Sequence, residues 1–315
     1  MRYLYFVGVK YESNIYFGGH LVKKVYKSKQ SEIAMKELYD RQLKAFDMEN
    51  ESLFVDTRFG KTHVVKIGNP NGKPLLVTHG GNFTTPYELS YYSALLPSFC
   101  VYAVDTIGHP GKSAQTIVSY KTLEYGDWAS DVITGLGFQK ISCLSGSLGV
   151  LILLKLMCVA PEKVEKSVLV APAGFVDGYM PSGIAASVGN FLMRHIFAKN
   201  DKRLKKVLLP MAIKENHISD ATLEMFKYSY KHVVINNYMP AVVNSEDLQR
   251  YTSPTLVIVA EHDNMFPGDK TLAKAKEVIG NLKTHILEGQ GHKFMLQDDD
   301  IAMIQKFIEN EYAQQ

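Results

Sequence analysis

Between residues 74 and 171 the chain alternates short, uninterrupted apolar runs with stretches of helical period, and few architectures accept that alternation. The runs at 74–78, 100–105, 141–144 and 167–171 are too short for stable helices and lack a polar face, so each predicts a strand buried on both sides. Between the second and third of them, Tyr125, Trp128, Val132 and Leu136 recur at helical spacing. Strands separated by helices pair in parallel, because each crossover returns the chain to the same edge of the sheet. The pattern resumes at 255–260 and continues through a helix with Leu272, Ala275 and Val278, a strand at 284–287, and an amphipathic helix with Ile301, Ile304, Phe307 and Ile308. The predicted class is α/β, with a mostly parallel central sheet covered by helices on both faces.

The flanks are of a different kind. Residues 53–57 and 62–67 are β-rich and joined by Arg58-Phe59-Gly60-Lys61, which predicts an antiparallel hairpin ahead of the parallel strands. A helix is expected from Ser31, with Ser31 as its cap and Met35, Leu38, Tyr39, Leu43 and Phe46 on one face. Residues 1–30 have some strand character without a clean period. From 172 to 250 the alternation breaks: the helical spacing of Ile184, Val188, Phe191, Leu192 and Ile196 predicts an inserted helical lid, rich in Met and Phe. The 315 residues therefore divide into an N-terminal extension and helix (1–51), a core (52–171 and 251–315) and a helical lid (172–250).

One junction carries chemistry. Ser145-Gly146-Ser147-Leu148-Gly149 follows a buried strand and precedes the apolar run 150–154. Small residues two before and two after a serine suit a sharp, strained turn from strand to helix, which lifts the hydroxyl clear of the sheet beside a helix N-terminus. A serine hydroxyl is a poor nucleophile near neutrality and needs a base, which in turn needs an orienting carboxylate. Both should follow later strands of the same sheet, at its carboxyl edge. After the strand at 255–260 stands Glu261-His262-Asp263, where Asp263 is the expected carboxylate and Glu261 the runner-up. After the last strand stands Gly289-Gln290-Gly291-His292, which supplies His292 as the expected base. Negative charge on a reacting carbonyl oxygen would be met by the backbone N–H of Leu148 and one just past Thr78, that of Gly81.

With these residues in place the chain resembles α/β-hydrolases of the carboxylesterase type with a helical cap, over residues 52–312. The resemblance rests on His79-Gly80-Gly81, Asp105-x-x-Gly108, the serine turn, Ala260-x-x-Asp263-x-x-x-Pro267 and Gly291-His292, in family order. It implies a Ser147, Asp263, His292 triad, and it places the second oxyanion donor at Gly81, with Asn82 as the alternative. It implies that His79, His109, His262 and His285 are structural. The sequence departs from the family pattern at Ser145 and Ala260, where glycine is usual, and in Gly108-His109-Pro110-Gly111, which is one residue longer than the usual Gly-x-Gly.

The expected activity is hydrolysis of a small apolar carboxylic ester through an acyl-serine intermediate, with no cofactor and no metal. The same triad could cleave a carbon-carbon bond or a lactone, and a fold of this kind could instead serve as a small-molecule receptor, against which the complete triad argues. Composition narrows the partners. A net charge of +3 with scattered basic residues gives no support to nucleic-acid binding, and the cluster at 199–206 fits a solvated helix face. Gly111-Lys112-Ser113 is not a phosphate loop, because Thr106 stands where its first glycine belongs. Cys100, Cys143 and Cys158 lie in apolar surroundings and form no C-x-x-C, so they are expected to be reduced core residues of a cytoplasmic protein. The apolar start, residues 1–9, is too short for a membrane anchor.

Overall fold

A computed structural model describes residues 16–17, 20–21, 24–178, 189, 192–235 and 242–310. In chain order the elements are β1 (Tyr16–Phe17), β2 (His20–Leu21), α1 (Lys29–Lys44), β3 (Asn50–Thr57), β4 (Gly60–Gly68), β5 (Lys73–Thr78), α2 (Thr85–Ser90), β6 (Phe99–Val104), α3 (Glu124–Gly135), β7 (Ile141–Gly146), α4 (Leu148–Val159) and β8 (Val164–Val170). They continue with α5 (Asp201–Ala212), α6 (Asp220–His232), β9 (Thr255–Ala260), α7 (Gly268–Val278), β10 (Leu282–Leu287) and α8 (Asp298–Glu309). Eight strands form one sheet in the order β10-β9-β8-β7-β5-β6-β4-β3. From β6 to β10 every pairing is parallel, whereas β4 runs antiparallel to both β6 and β3.

The apolar runs are buried on both faces, and their period of two sorts them between two cores. Leu76, Cys143, Val257 and Val259 point to the side covered by α3, α4 and α7. Leu75, Val77, Leu144, Leu256 and Ile258 point to the side covered by α1, α2 and α8. Helix α4 is so deeply enclosed that only its two end residues escape burial. Its Lys155 satisfies its ammonium on the carbonyls of Tyr120 and Thr122, and burial pushes that group down to about 8. All three cysteines are buried and free.

The structure adjusts three local expectations. Ser28, not Ser31, caps α1: its side chain accepts from the Ser31 N–H at 3.1 Å, and Ser31 is buried inside the first turn. The helical period around residues 87–96 predicts one helix after β5, but it is split, with α2 starting at Thr85, where Pro86 fits the first turn, and a separate 3-10 turn at Ser93–Leu95. Of the face expected at the start of the lid, residues 184, 188 and 191 lie outside the described residues, and Ile196 is exposed.

The segment between β8 and β9 carries α5 and α6, and apolar residues of these two helices pack into two small cores. Phe226 joins Leu204, Leu208 and Leu223, while Met225 packs with Met35, Leu38 and Tyr87 from α1 and α2. The end of the N-terminal extension is bound to the same segment, since Lys27 donates to His232 O (2.9 Å) and Val234 to Val25 O (2.9 Å). Tyr26 also reaches the turn after β6: its hydroxyl donates to Gly111 O at 3.1 Å and accepts from Gly111 N–H at 3.0 Å. Gly111-Lys112-Ser113 is accordingly a structural clamp on Asp105, to which the Lys112 N–H donates at 2.7 Å. No helix among the described residues is long and apolar enough to cross a membrane.

Candidate active site

Because β5, β7, β9 and β10 run in one direction, the residues that follow them emerge at one edge of the sheet. Ser147 sits between β7 and α4 with φ 50° and ψ −123°. A residue with a side chain adopts such a backbone only when its surroundings force it, at a cost of about 1–3 kcal/mol. Here the Ser147 N–H donates to Val170 O at 2.9 Å, and its carbonyl accepts from Val150 N–H (3.0 Å) and Ala173 N–H (3.2 Å).

The small neighbours are explained by what surrounds them. A Cβ on Gly146 would lie 2.5 Å from Glu88 Oε1, and one on Gly149 would collide with Ser145 Oγ and approach Thr78 O to 2.9 Å. Ser145 is accommodated because the end of β5 absorbs its hydroxyl, which donates to Thr78 O at 2.9 Å. If the turn is strained, replacing Ser147 by glycine should leave a more stable protein than replacing it by alanine. Both lose the hydroxyl, so the difference isolates the backbone, and we expect about 1 kcal/mol in favour of glycine in chemical denaturation. Equal stabilities would show that the turn stores no strain.

Ser147 Oγ lies 2.9 Å from His292 Nε2, and His292 Nδ1 lies 2.8 Å from Asp263 Oδ2. The other carboxylate oxygen, Oδ1, accepts from Met265 N–H (2.8 Å) and Phe266 N–H (2.9 Å). A carboxylate can only accept, so the proton on His292 belongs on Nδ1, and Nε2 is left to accept from the serine. His292 and Asp263 are each 5% exposed, and Ser147 is half-buried.

Two further contacts set the distance between the loops that carry Asp263 and His292. His262 N–H donates to Gln290 O at 2.8 Å, and Glu261 Oε2 accepts from Gly289 N–H at 2.7 Å. Glu261, the runner-up acid, thus ties the two loops together, and Asp263 holds His292. The last carbonyls of α5 have no partner within their own helix, and they take donors from the same loops. Pro210 O accepts from Asn264 Nδ2 (3.0 Å) and Met211 O from Lys293 N–H (2.9 Å).

After β5, Gly80 and Gly81 run directly over the serine turn. A Cβ on Gly80 would be 3.7 Å from Ser147 Cβ, and one on Gly81 would be 2.6 Å from the Leu148 side chain. The two expected oxyanion donors are therefore on touching residues. Asn82 has φ 62°, and its carbonyl accepts from Ser229 of α6 at 2.9 Å.

The remaining histidines have other partners. His79 Nε2 accepts from Thr106 N–H (2.9 Å), and burial lowers its pKa. Burial, with His79 nearby, pushes His109 down to about 3, which leaves it neutral to accept from Tyr120 at 2.6 Å. His285 pairs with Asp300 at 2.7 Å, and His262 faces Glu261 at 3.8 Å.

Sequence reading missed three features of this region. Glu88 and Lys293 are buried charged groups beside the serine turn, and Ala171 holds φ 43° where β8 ends. It also missed a second Ser, His and Asp array, in which Ser52 Oγ lies 2.5 Å from His63 Nε2 and His63 Nδ1 lies 2.9 Å from Asp105. Burial alone would raise Asp105, but His63, Thr85 and the Lys112 N–H outweigh it and hold the carboxyl below its usual range. Ser52 lies mid-strand in β3, without the strained turn and helix start that Ser147 has.

Residues 75–304 match the family model described as "Alpha/beta hydrolase family". The chain belongs to the alpha/beta hydrolase family. Among its relatives, carboxylesterase YbfK of Bacillus subtilis is 25% identical over 273 residues, spanning 86% of this chain and 91% of the relative. The uncharacterized carboxylesterase nap of the same organism is 26% identical over 271 residues, spanning 81% and 85%. The crystal structure of carboxylesterase CesB (YbfK) superposes with a TM-score of 0.72 at 22% identity, covering 89% of this chain and 99% of the other. Naproxen esterase from B. subtilis superposes with a TM-score of 0.67 at 21% identity, covering 90% and 95%. The alpha/beta hydrolase fold thus accounts for the sheet order and for the helices inserted between β8 and β9.

Proposed function

We propose that the protein hydrolyses a small carboxylic ester through an acyl-serine intermediate, with Ser147 as nucleophile, His292 as base and Asp263 as its orienting carboxylate. The observation that carries this reading is the hydrogen-bonded series from Ser147 Oγ through His292 to Asp263, at 2.9 and 2.8 Å, on a strained turn at the head of a buried helix. Its likeness along most of its length to two carboxylesterases points to the ester as the bond cleaved.

Ser147 Oγ attacks the ester carbonyl carbon while His292 Nε2 takes its proton. The carbonyl π electrons move onto oxygen, where the N–H groups of Leu148 and Gly81 receive the charge, with Asn82 as the alternative second donor. Collapse breaks the bond to the alcohol oxygen, and the imidazolium returns its proton to that leaving group. Water then attacks the acyl-serine with His292 again as base, releasing the acid and restoring the hydroxyl. Asp263 remains a carboxylate throughout and stabilises the imidazolium.

Helix α5 acts as part of a cap over this edge, supported by its carbonyls that hold both loops. The Phe266 ring, 5.6 Å from that of His292, and the Leu148 side chain give the site apolar walls. Steady-state kinetics on esters of graded acyl length test the proposal. Catalytic efficiency should rise as the aliphatic acyl chain lengthens from acetyl and fall once the enclosed space is filled. Absence of turnover across the panel, with ligand-induced stabilisation alone, would favour a receptor, and a preference for charged acyl groups would contradict apolar walls.

A further inference from the structure

The reaction as derived leaves one buried acid beside the site unused. Glu88, on α2, is 7% exposed, and its carboxylate lies between the two turns that must be held in register. Oε2 accepts from the Gly80 N–H at 3.4 Å, and Oε1 accepts from the Tyr92 hydroxyl at 3.4 Å. The same oxygens lie close to where a Cβ on Gly80 (3.8 Å) or Gly146 (2.5 Å) would stand. One carboxylate therefore abuts both the residue before Gly81 and the residue before Ser147.

Two consecutive glycines are the most permissive backbone a chain can present, whereas oxyanion donors are effective only when held in place beforehand. Gly80 is held from both sides: its carbonyl lies 2.7 Å from His79 Nδ1, and its N–H is taken by Glu88. The titratable groups facing Glu88 are Lys293 and His292, and the Tyr92 phenol completes its surroundings. Lys293 directly follows His292, and its ammonium is enclosed by the rings of Phe83 (4.8 Å), Tyr87 (5.3 Å), Tyr91 (5.4 Å) and Phe226 (5.5 Å). Such a cage holds a cation by attraction to the ring faces. These rings come from the turn after β5, from α2 and its end, and from α6, so the position of the charge reports on all three.

We propose that Glu88 is a positioning residue of the hydrolytic site, its carboxylate fastening the Gly80 peptide against the serine turn, with the caged Lys293 ammonium as its counter-charge. This rests on the reading of Ser147 as nucleophile and Gly81 as oxyanion donor. Burial raises the Glu88 pKa and Lys293 is the largest opposing influence, leaving it at about 7. The carboxylate is therefore present above about 7 and is lost as the pH falls through that value. Protonation removes the charge that grips the Gly80 N–H, so an acid limb in activity follows Glu88.

The test measures kcat, KM and the rate of Ser147 labelling by a small fluorophosphonate between about pH 5 and pH 9. It compares the parent full chain with Glu88→Gln and Lys293→Met, each checked by thermal unfolding. Removing the carboxylate should move the acid limb down by at least about half a pH unit and lower kcat at the optimum, with KM little altered. Removing the caged cation should move the limb up, because Glu88 loses the neighbour that favours its deprotonated form. Opposite shifts support the proposal; limbs that coincide with the parent's, or that move together, overturn it. If one variant does not fold, the direction of the other's shift decides. A parent that neither turns over esters nor labels at Ser147 would instead overturn the functional reading.

Discussion

Replacing Ser147 by alanine should lower kcat for ester hydrolysis by roughly 10⁶ and abolish covalent labelling by a fluorophosphonate. The size of the loss reflects how the groups act together. Without the hydroxyl, His292 has no proton to remove and Asp263 no imidazolium to stabilise, so what survives is the contribution of binding and the oxyanion donors. The fold should persist, because the side chain removed makes a single hydrogen bond to His292, worth about 1 kcal/mol, and the strained backbone is held by Val170, Val150 and Ala173. Near-parental thermal unfolding together with lost labelling would therefore identify the nucleophile. The second array makes this more than a formality. Ser52 is exposed, and its hydroxyl lies against a fully buried His63 and Asp105 pair, so peptide mapping should show whether any residual label sits there. Labelling retained at Ser52 would move the nucleophile to the edge strand and sink the assignment of Ser147.

Much of the fold was legible because it is set by local signals. The parallel strands are continuous apolar runs buried on both faces, and β9, at Thr255–Ala260, has the limits its sequence suggests. The serine turn was readable because its neighbours must be small, which is itself a consequence of Glu88, Thr78 and Ser145 crowding Gly146 and Gly149. What escaped was tertiary in origin. Nothing in the run Thr-Pro-Tyr-Glu-Leu marks Glu88 as a buried acid, since a glutamate in the first turn of a helix is ordinarily a solvated one. Lys293 likewise reads as a surface lysine until four rings from three separate parts of the chain close around it. The positive φ of Ala171 had no glycine to announce it. In the Met- and Phe-rich lid, Met225 and Phe226 join α6 to α1, α2 and α5, which only the tertiary packing reveals. The α1 cap was misplaced by three residues because Ser28 and Ser31 are equally good candidates in sequence, and only the direction of the hydrogen bond separates them.

Replacing Asp263 by asparagine should lower kcat by roughly 10⁴ with little change in KM, whereas Glu261→Gln should have a far smaller effect. The two residues lie two apart on one loop, and geometry separates them. Asp263 Oδ2 faces His292 Nδ1 at 2.8 Å, while Oδ1 is fixed by two backbone N–H groups that will accept no donor in its place. An amide at this position keeps an oxygen on Met265 and Phe266, which turns its NH₂ toward His292. The imidazole must then accept at Nδ1 and carry its proton on Nε2, the atom that should receive the serine proton, so the base is presented in the wrong tautomer. Glu261 accepts from Gly289 N–H at the far end of the loop pair and touches no ring nitrogen of His292. Its amide variant still offers an oxygen to Gly289, so the registration of the loops survives. Single-turnover acylation measured on both variants distinguishes these roles, since the tautomer defect acts on the chemical step. Equal losses in the two variants, or a larger loss in Glu261→Gln, would show that the acid of this site is not Asp263.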